Sequence, residues 1–440
     1  MNDHSVAIVV LDTLRKDTFD RYFEWVEGTV FNNAYSTSHW TVPAHASLIT
    51  GKYGSEVGVH GKSRMFDYPG DTIVERLQEY GYTTRLWTAN IQIHAWDGWD
   101  RGFDEVWGPG ELDPLADDAV DWSAFSKENE RSGPLMYLNA IRHAVRSPES
   151  TLTSLRDGYR RFSSDVGNRG AEMVHRRLQQ TNFADEEFLL INLMEPHTPH
   201  LPPEPYRTYS KSINYKIGDA FANAIEDPHR NRRAYDDSAA YLSSAYRRVY
   251  RELQQSFDMI VTLSDHGELL GEHDMWNHGY GVYPKLVEIP FVIWMKDGAP
   301  PAVATDEVVS ILDVPQTIAG RTGIDFESRG QDLFQNVEPT DRLIEYHGFL
   351  PWHREQLERK GVGELYNRLD GDLNGIVTES GTYYYETHDE GLCCEEGPVE
   401  EGVRARLDDH VDRLSKRSMS QDESDIPSDV RNRLENLGYA

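Results

Sequence analysis

Cysteine is nearly missing from this chain. Its two copies are neighbours, Cys393 and Cys394, too few and too close for a disulfide framework or a zinc ribbon, and a reducing compartment is expected. Long apolar runs are missing too. The run Ser5-Val6-Ala7-Ile8-Val9-Val10-Leu11 is far shorter than a membrane span. It starts so near Met1 that no room is left for a signal peptide, so a cytoplasmic protein without membrane insertion is expected. Positive charge is short: 44 Lys and Arg face 74 Asp and Glu, a formal net charge of -30. A surface of that sign repels phosphate backbones and anionic lipid, which excludes nucleic acid as a partner. The acidic residues are spread along the whole chain and Arg well outnumbers Lys, the pattern of a solvated halophilic surface of archaeal type and not of an acidic tail. Repeats and low-complexity segments are absent.

Aromatic side chains are plentiful, at 11% of the residues, and 440 residues suffice for one large domain and a smaller one. The chain is organised around Ser36 to Tyr53, which reads as a loop running straight into a helix. Pro43 suits the first helical position. Thr41, two places earlier, then stands at the first turn, where unpaired N–H groups and the helix dipole favour an anion. Taken alone, Thr41 is an N-cap or a nucleophile.

Val6 to Leu11 is an apolar, β-branched run, as expected of a central strand buried on both faces, and it ends at Asp12. Further strands are expected at Thr29 to Tyr35, Thr83 to Ala89, Glu187 to Leu193, Met259 to Leu263 and Ile289 to Met295. Helices are expected at Asp71 to Tyr80, Tyr235 to Phe257 and Asp313 to Thr322, and an aromatic loop at Gly98 to Val106. This alternation predicts a doubly wound α/β fold with a mainly parallel sheet. Residues 1–330 form its catalytic domain, with 113–182 as a helical insertion or cap. Shorter strands at Leu343 to Tyr346, Gly375 to Glu379 and Tyr383 to Thr387 predict a small antiparallel-sheet subdomain within 331–440, ending in a charged, loosely docked tail.

Three of these strands end in groups that bind metals or move protons: Asp12, then Glu195 to His200, then Asp265-His266-Gly267-Glu268. Ligand crevices in open α/β sheets lie beyond the carboxyl ends of the strands. Asp12, Asp265, His266 and the Thr41 oxygen could surround a divalent cation there. Their oxygen-rich set suits Mg, Ca or Mn, and the imidazoles also admit Zn. His278, His197 and Lys285 are left to hold a substrate anion, protonate a leaving group or ligate a second metal. His200, on the same stiff loop as His197, is a further candidate for substrate binding, whereas His273 reads as a surface histidine.

The segments Val9 to Arg15, Trp40 to Gly51, Gly102-Phe103-Asp104, Glu195 to Pro199 and Ser264 to His273, as an ordered set over about residues 5 to 350, resemble the sulfatase family of the alkaline phosphatase superfamily. The resemblance implies a bound divalent metal and hydrolysis or transfer at a sulfate or phosphate ester. By it, Asp12, Asp265 and His266 match metal ligands, Thr41 the nucleophile, and His197 and His278 residues at the substrate anion. The departures matter as much. Family members of proven sulfatase type carry Cys or Ser at the Thr41 position, which is oxidised to formylglycine. Thr offers no such route, so no formylglycine is expected. His45 stands where the family motif has Arg, Thr88-Ala89-Asn90 replaces a usual Lys and His, and His278 replaces a usual Lys. His45 and Asn90 join Lys285 and His200 as candidates for substrate contacts.

Three readings follow: a metal-dependent hydrolase of sulfate or phosphate esters acting on a small-molecule or saccharide substrate, a phosphodiesterase or phospho-group transferase of the same superfamily, and a catalytically silent binder of anionic saccharides. Residues 113–182 and Phe349-Leu350-Pro351-Trp352-His353 are candidate walls of the substrate site. The charge pattern gives the first prediction. Circular dichroism and light scattering of the purified protein should show loss of fold or solubility when KCl is lowered from molar to millimolar concentrations. Equal behaviour at both salts would exclude the halophilic reading.

Overall fold

Successive residues of Val6–Leu11 face opposite sides of one sheet. Ile8 and Val10 pack into one apolar cluster with Val42, Leu48 and Ile49, whereas Ala7, Val9 and Leu11 pack into another with Leu242, Tyr246 and Val249. A strand covered on both faces needs apolar residues at every position, which is why its sequence is continuous and not alternating. In the computed structural model, which describes residues 5–94, 96–108, 142–144, 151, 170–210 and 212–417, this strand lies near the middle of a seven-stranded sheet. The order is Thr29–Phe31, Phe291–Met295, Met259–Leu263, Val6–Leu11, Glu187–Leu193, Thr83–Thr88 and Glu105–Trp107. Phe291–Met295 is antiparallel to both its neighbours, and the other pairings are parallel. Helix Thr41–Thr50 supplies residues to one apolar layer and helix Pro228–Ser256 to the other. This is the expected mixed α/β architecture.

A separate four-stranded antiparallel sheet follows in the order Arg342–His347, Asp372–Val377, Tyr383–Thr387 and Gly391–Cys393. Its first strand reaches the loop ahead of Thr41, where the Glu345 N–H donates to the Thr37 carbonyl at 2.9 Å. The small sheet therefore braces the loop that delivers Thr41.

Several boundaries differ from the sequence expectation. Thr29 to Tyr35 is two strands, Thr29–Phe31 in the large sheet and Asn33–Tyr35 paired with Val308–Ser310. Thr72, not Asp71, caps helix Ile73–Glu79, in a reciprocal pair with Glu75. The long helix starts at Pro228 because Asp227 caps it through the Arg230 N–H and proline sits in its first turn. Glu105–Trp107, partly read as loop, is the edge strand. The tail is anchored over helix Val403–Asp412, whose Val403 and Leu407 are buried with Leu343 and Ile376. Most of 113–182, and the tail after 417, lie outside the described residues. Within 113–182, Ala171–Leu178 is helical.

The small sheet carries a charged cluster at its first pairing. His347, opposite Asp372, has Nε2 3.6 Å from Glu345 Oε1 and Nδ1 3.6 Å from Asp372 Oδ1. Burial opposes its charge, but the two carboxylates outweigh burial and push the imidazole up to about 9. The adjacent His60 ring, 4.9 Å away, is pushed down to about 4 by burial first and then by His347. An imidazole raised in the folded state above its unfolded value of roughly 6.5 stabilises the fold fully below that value, and this is lost as pH rises through the folded pKa. The unfolding free energy in urea at fixed KCl should therefore fall by about 3 kcal/mol between pH 6.5 and pH 10 through this group, and His347→Gln should lack that fall. Identical pH slopes in the two proteins would overturn the assignment.

Candidate metal and ester site

Four neighbouring parallel strands end at one place. Asp12 follows Val6–Leu11, Asn192 is the next-to-last residue of Glu187–Leu193, Asn90 lies two residues past Thr83–Thr88, and Asp265-His266 lies just past Met259–Leu263. All five side chains are buried. Asp12 Oδ2 accepts hydrogen bonds from Asn90 Nδ2 at 2.7 Å and Asn192 Nδ2 at 3.2 Å. Asp265 Oδ1 accepts from the backbone N–H groups of Thr13 at 3.3 Å and His266 at 3.0 Å. Each carboxylate is thus held by one oxygen. The other oxygens, Asp12 Oδ1 and Asp265 Oδ2, are buried and accept no hydrogen bond.

His266 completes the group. Its Nδ1 lies 2.8 Å from the Gly267 carbonyl, which can only accept, so Nδ1 carries the proton and the Nε2 lone pair points inward. Nε2 is 3.6 Å from Asp265 Oδ2 and 3.9 Å from Asp12 Oδ1. Gly267 serves by close approach more than by a special turn, since a Cβ there would lie 2.1 Å from the Lys285 carbonyl oxygen. Burial, and then the Asp265 charge, push Asp12 up to about 6; burial also raises Asp265, and burial followed by His278 pushes His266 down to about 3. Two crowded carboxylates and a neutral imidazole, with ligand atoms within 4.8 Å of one another, are what a divalent cation would relieve. The donor set of hard oxygens and one imidazole fits one.

Thr41 sits at the edge of this group. The helix starts at Thr41, not at Pro43, and its N-cap is Trp40, which makes no side-chain capping bond. The Thr41 hydroxyl lies 3.5 Å from Asp12 Oδ2, 3.4 Å from His266 Nε2 and 3.3 Å from Asn90 Nδ2. Its oxygen is therefore aimed at the carboxylate pair and does not cap the helix.

Above Thr41 opens a narrow recess, lined in part by His39, His197, Lys216, His278, Trp352 and His353. The His278 ring lies 4.6 Å from that of His266 and 5.1 Å from that of His197. Its Nδ1 is 2.6 Å from Glu268 Oε2. Burial works against the His278 imidazolium, but Glu268 outweighs it and the pKa is raised. Burial lowers His39 far below the ordinary value, and burial followed by His278 pushes His353 down to about 3. His39 Nδ1 donates to the His278 carbonyl at 2.6 Å, fixing that loop. Trp352 is backed by the buried Arg64 guanidinium, which lies 4.8 Å from its ring and 4.4 Å from that of Trp96.

Of the residues singled out from sequence, Asp12, Asp265, His266 and Thr41 converge, and His197 and His278 line the recess with Thr41. The four candidates for substrate contacts do not line it. Asn90 holds Asp12. His45 lies one turn along from Thr41, donating Nδ1–H to the Thr41 carbonyl at 3.0 Å, with its Nε2 3.4 Å from Asn192 Nδ2. His200 packs against Tyr215 and Tyr235, and the Lys285 ammonium lies 3.4 Å from Asp17 and 3.9 Å from Glu288. His273 pairs with Glu395 at 2.7 Å, a partly exposed contact. Asn192, His39 and Lys216 were not singled out, and Glu268 was named only as part of the Asp265 to Glu268 group. Asn192 could have been found as the one polar residue in the run Phe188 to Leu193.

The Sulfatase family description matches residues 16–324. The uncharacterized sulfatase YidJ of Escherichia coli is 24% identical over 355 residues, which cover 73% of this chain and 67% of that protein. The choline-sulfatase of Rhizobium meliloti is 21% identical over 369 residues, covering 72% and 66%. Both matches thus span about two thirds of the relative. Among solved structures, a phosphonate monoester hydrolase from Silicibacter pomeroyi aligns with a TM-score of 0.61 at 16% identity, covering 99% of this chain and 96% of that one. Among the described residues no helix is long and apolar enough to cross a membrane.

The carboxylate pair yields a prediction on the protein alone. Mg, Mn, Ca or Zn should raise the thermal midpoint of the wild type. Asp265→Asn should raise the metal-free stability by about 1 kcal/mol, since it removes one of two buried like charges, and should abolish the metal-induced shift. A metal-induced shift that survives Asp265→Asn, measured by differential scanning fluorimetry, would exclude the site.

Proposed function

The chain belongs to the sulfatase family, and from that premise we propose that it is a divalent-metal-dependent hydrolase of anionic esters with Thr41 as its nucleophile. The observation that carries the reading is the Thr41 hydroxyl, 3.5 Å from Asp12 and 3.4 Å from His266 Nε2, at the first turn of a helix and not engaged in capping it. Asp12, Asp265 and His266 would hold the cation. When bound there, it would acidify the hydroxyl and offset charge on the ester.

The chain's own groups supply the rest. Asn90 and Asn192 orient Asp12, and the Gly267 carbonyl fixes the His266 tautomer, both contacts that strengthen metal ligation in general. Thr41 Oγ1 attacks phosphorus or sulfur, and the bond to the leaving oxygen breaks. The proton that Thr41 loses passes to solvent, while His278, held toward its charged form by Glu268, gives its proton to the departing alkoxide and is reprotonated from solvent. Water then cleaves the Thr41 ester, releasing the inorganic anion and restoring the hydroxyl.

Phosphorus is the better fit of the two. Threonine cannot become the aldehyde hydrate by which a formylglycine expels sulfate through elimination, so any covalent intermediate must be hydrolysed at the ester itself. A phosphoryl group carries the extra negative charge that a metal and an imidazolium stabilise as it is transferred. The natural setting proposed is a halophilic cytoplasm.

Assayed in high salt with each divalent ion against nitrophenyl phosphate, bis-nitrophenyl phosphate and nitrophenyl sulfate, the wild type should turn over a phosphoester. Thr41→Ala should lower kcat/KM by roughly a thousandfold or more, and Thr41→Ser should stay within about tenfold. Turnover that survives Thr41→Ala, or none on any of the three esters, would overturn the proposal.

A further inference from the structure

Two side chains that line the recess beside His278 and Gly279 have their polarity fixed by the backbone: His353 and Asn277. The Leu350 N–H donates to His353 Nδ1 at 3.3 Å, in the first turn of helix Pro351–Arg359. A ring nitrogen that accepts carries no proton, so in this buried, neutral imidazole Nε2 is the donor. Asn277, at φ 77°, holds the left-handed conformation that asparagine tolerates, and it pairs with Leu269. Its Nδ2 donates at 3.4 Å to the Tyr215 carbonyl, which can only accept, so its other amide atom is the acceptor Oδ1. Each side chain therefore has a structural task at one atom, and among the described residues its second polar atom makes no hydrogen bond.

Those second atoms meet at one place. A Cβ on Gly279 would stand 3.2 Å from Asn277 Oδ1, 3.3 Å from His353 Nε2 and 2.9 Å from His353 Cε1. Gly279 is not in the left-handed region, so what the glycine supplies is room. A donor and an acceptor around one small space match a hydroxyl, which accepts and donates at once. A carboxylate has no proton for Oδ1, an ammonium has no lone pair for the Nε2 proton, and a methyl leaves both atoms unpaired, which is costly in a buried site.

We propose that His353 and Asn277 form a specificity subsite that reads a hydroxyl on the leaving alcohol of the ester, with Gly279 as the positioning residue that keeps the space open. The inference rests on the hydrolase reading above and adds the substrate class: monoesters of a vicinal diol or longer polyol, in preference to those of a simple alcohol. Neighbouring Cα atoms are about 3.8 Å apart, so a hydroxyl read at Gly279 lies beside the leaving oxygen that His278 protonates, which suits hydroxyls on adjacent carbons.

The test compares 2-hydroxyethyl phosphate with propyl phosphate, in which a methyl replaces the hydroxyl, at one KCl concentration and one divalent ion. Wild type should show a KM at least about tenfold lower for the hydroxylated ester. Comparing the two esters within one variant cancels general damage to the site. The preference should collapse in His353→Gln, whose amide can still accept from the Leu350 N–H, in Asn277→Gly, which keeps the left-handed backbone, and in Gly279→Ala. Calorimetry with 3-hydroxypropylphosphonate and butylphosphonate, which needs no turnover, should show the same preference in wild type and its loss in the variants. No turnover of either ester, together with a phosphonate preference that the variants lose, would sink the hydrolase reading and leave the subsite standing. A wild type that treats the two esters alike, a preference unchanged in His353→Gln or Asn277→Gly, or equal binding of the two phosphonates would overturn the subsite.

Discussion

Two buried carboxylates and one imidazole share a point at the carboxyl edge of the sheet, and each carboxylate keeps an oxygen that accepts no hydrogen bond. Asn90, Asn192 and two backbone N–H groups hold the outer oxygens of Asp12 and Asp265, but these donors are neutral. They can orient a carboxylate without compensating its charge. Removing an ion from water costs several kcal/mol even after relaxation, and the raised pKa of both carboxylates expresses that cost. Such a cluster is retained in a stable fold where a positive partner lowers its energy, and a divalent cation matches its charge and its donor atoms.

The surroundings are arranged to keep that point rigid. Ser264 donates its hydroxyl to the His266 carbonyl at 2.6 Å and accepts from the Leu14 N–H at 3.1 Å, stitching the two ligand-bearing loops together. The Tyr235 hydroxyl donates to the Thr13 carbonyl and accepts from the Arg15 N–H, so the long helix locks the turn after Asp12. On the other side, Thr37 and Ser47 hydroxyls pair at 2.8 Å across the start of the Thr41 helix, and the His39 ring packs 4.8 Å from Tyr346 of the small sheet. The small sheet is therefore part of the apparatus that positions Thr41, and the helix that follows its first strand carries the Trp352 and His353 wall.

Much of this was legible in the chain. Buried strands announce themselves by apolar runs, and the residues that end them, Asp12 and Asp265-His266, stand where such sheets build sites. What the pattern misled about was the Thr41 helix. Every residue from Thr41 to Thr50 is buried, so no polar face marks its period, and Pro43 drew the expected start two residues too late. The substrate-contact candidates lie outside the lining of the recess for a related reason. His45, His200 and Asn90 are polar residues near the right strands, but a buried polar side chain is more often needed to satisfy its neighbours than to meet a ligand. The Lys285 ammonium is taken by Asp17 and Glu288. Lys216 escaped notice because its place in the recess comes from tertiary packing, which no local pattern reports.

The imidazole lining has a consequence for a protein of this charge. On the halophilic reading, the working salt screens charges beyond about 3 Å, the Debye length near one molar. Long-range attraction then contributes little to capture, and a surface of net charge -30 is no obstacle to an anionic substrate for the same reason. Discrimination must come from groups in direct contact with the ester, in a recess from which counterions are displaced. Buried imidazoles suit that setting. Burial holds them neutral where no carboxylate stands by, as at His39 and His353, and a carboxylate shifts them toward the charged form, as Glu268 does His278. A site built from them holds one proton where it is needed without burying a permanent cation beside the metal ligands, and this accounts for imidazoles at positions where the resemblance leads one to expect lysine and arginine.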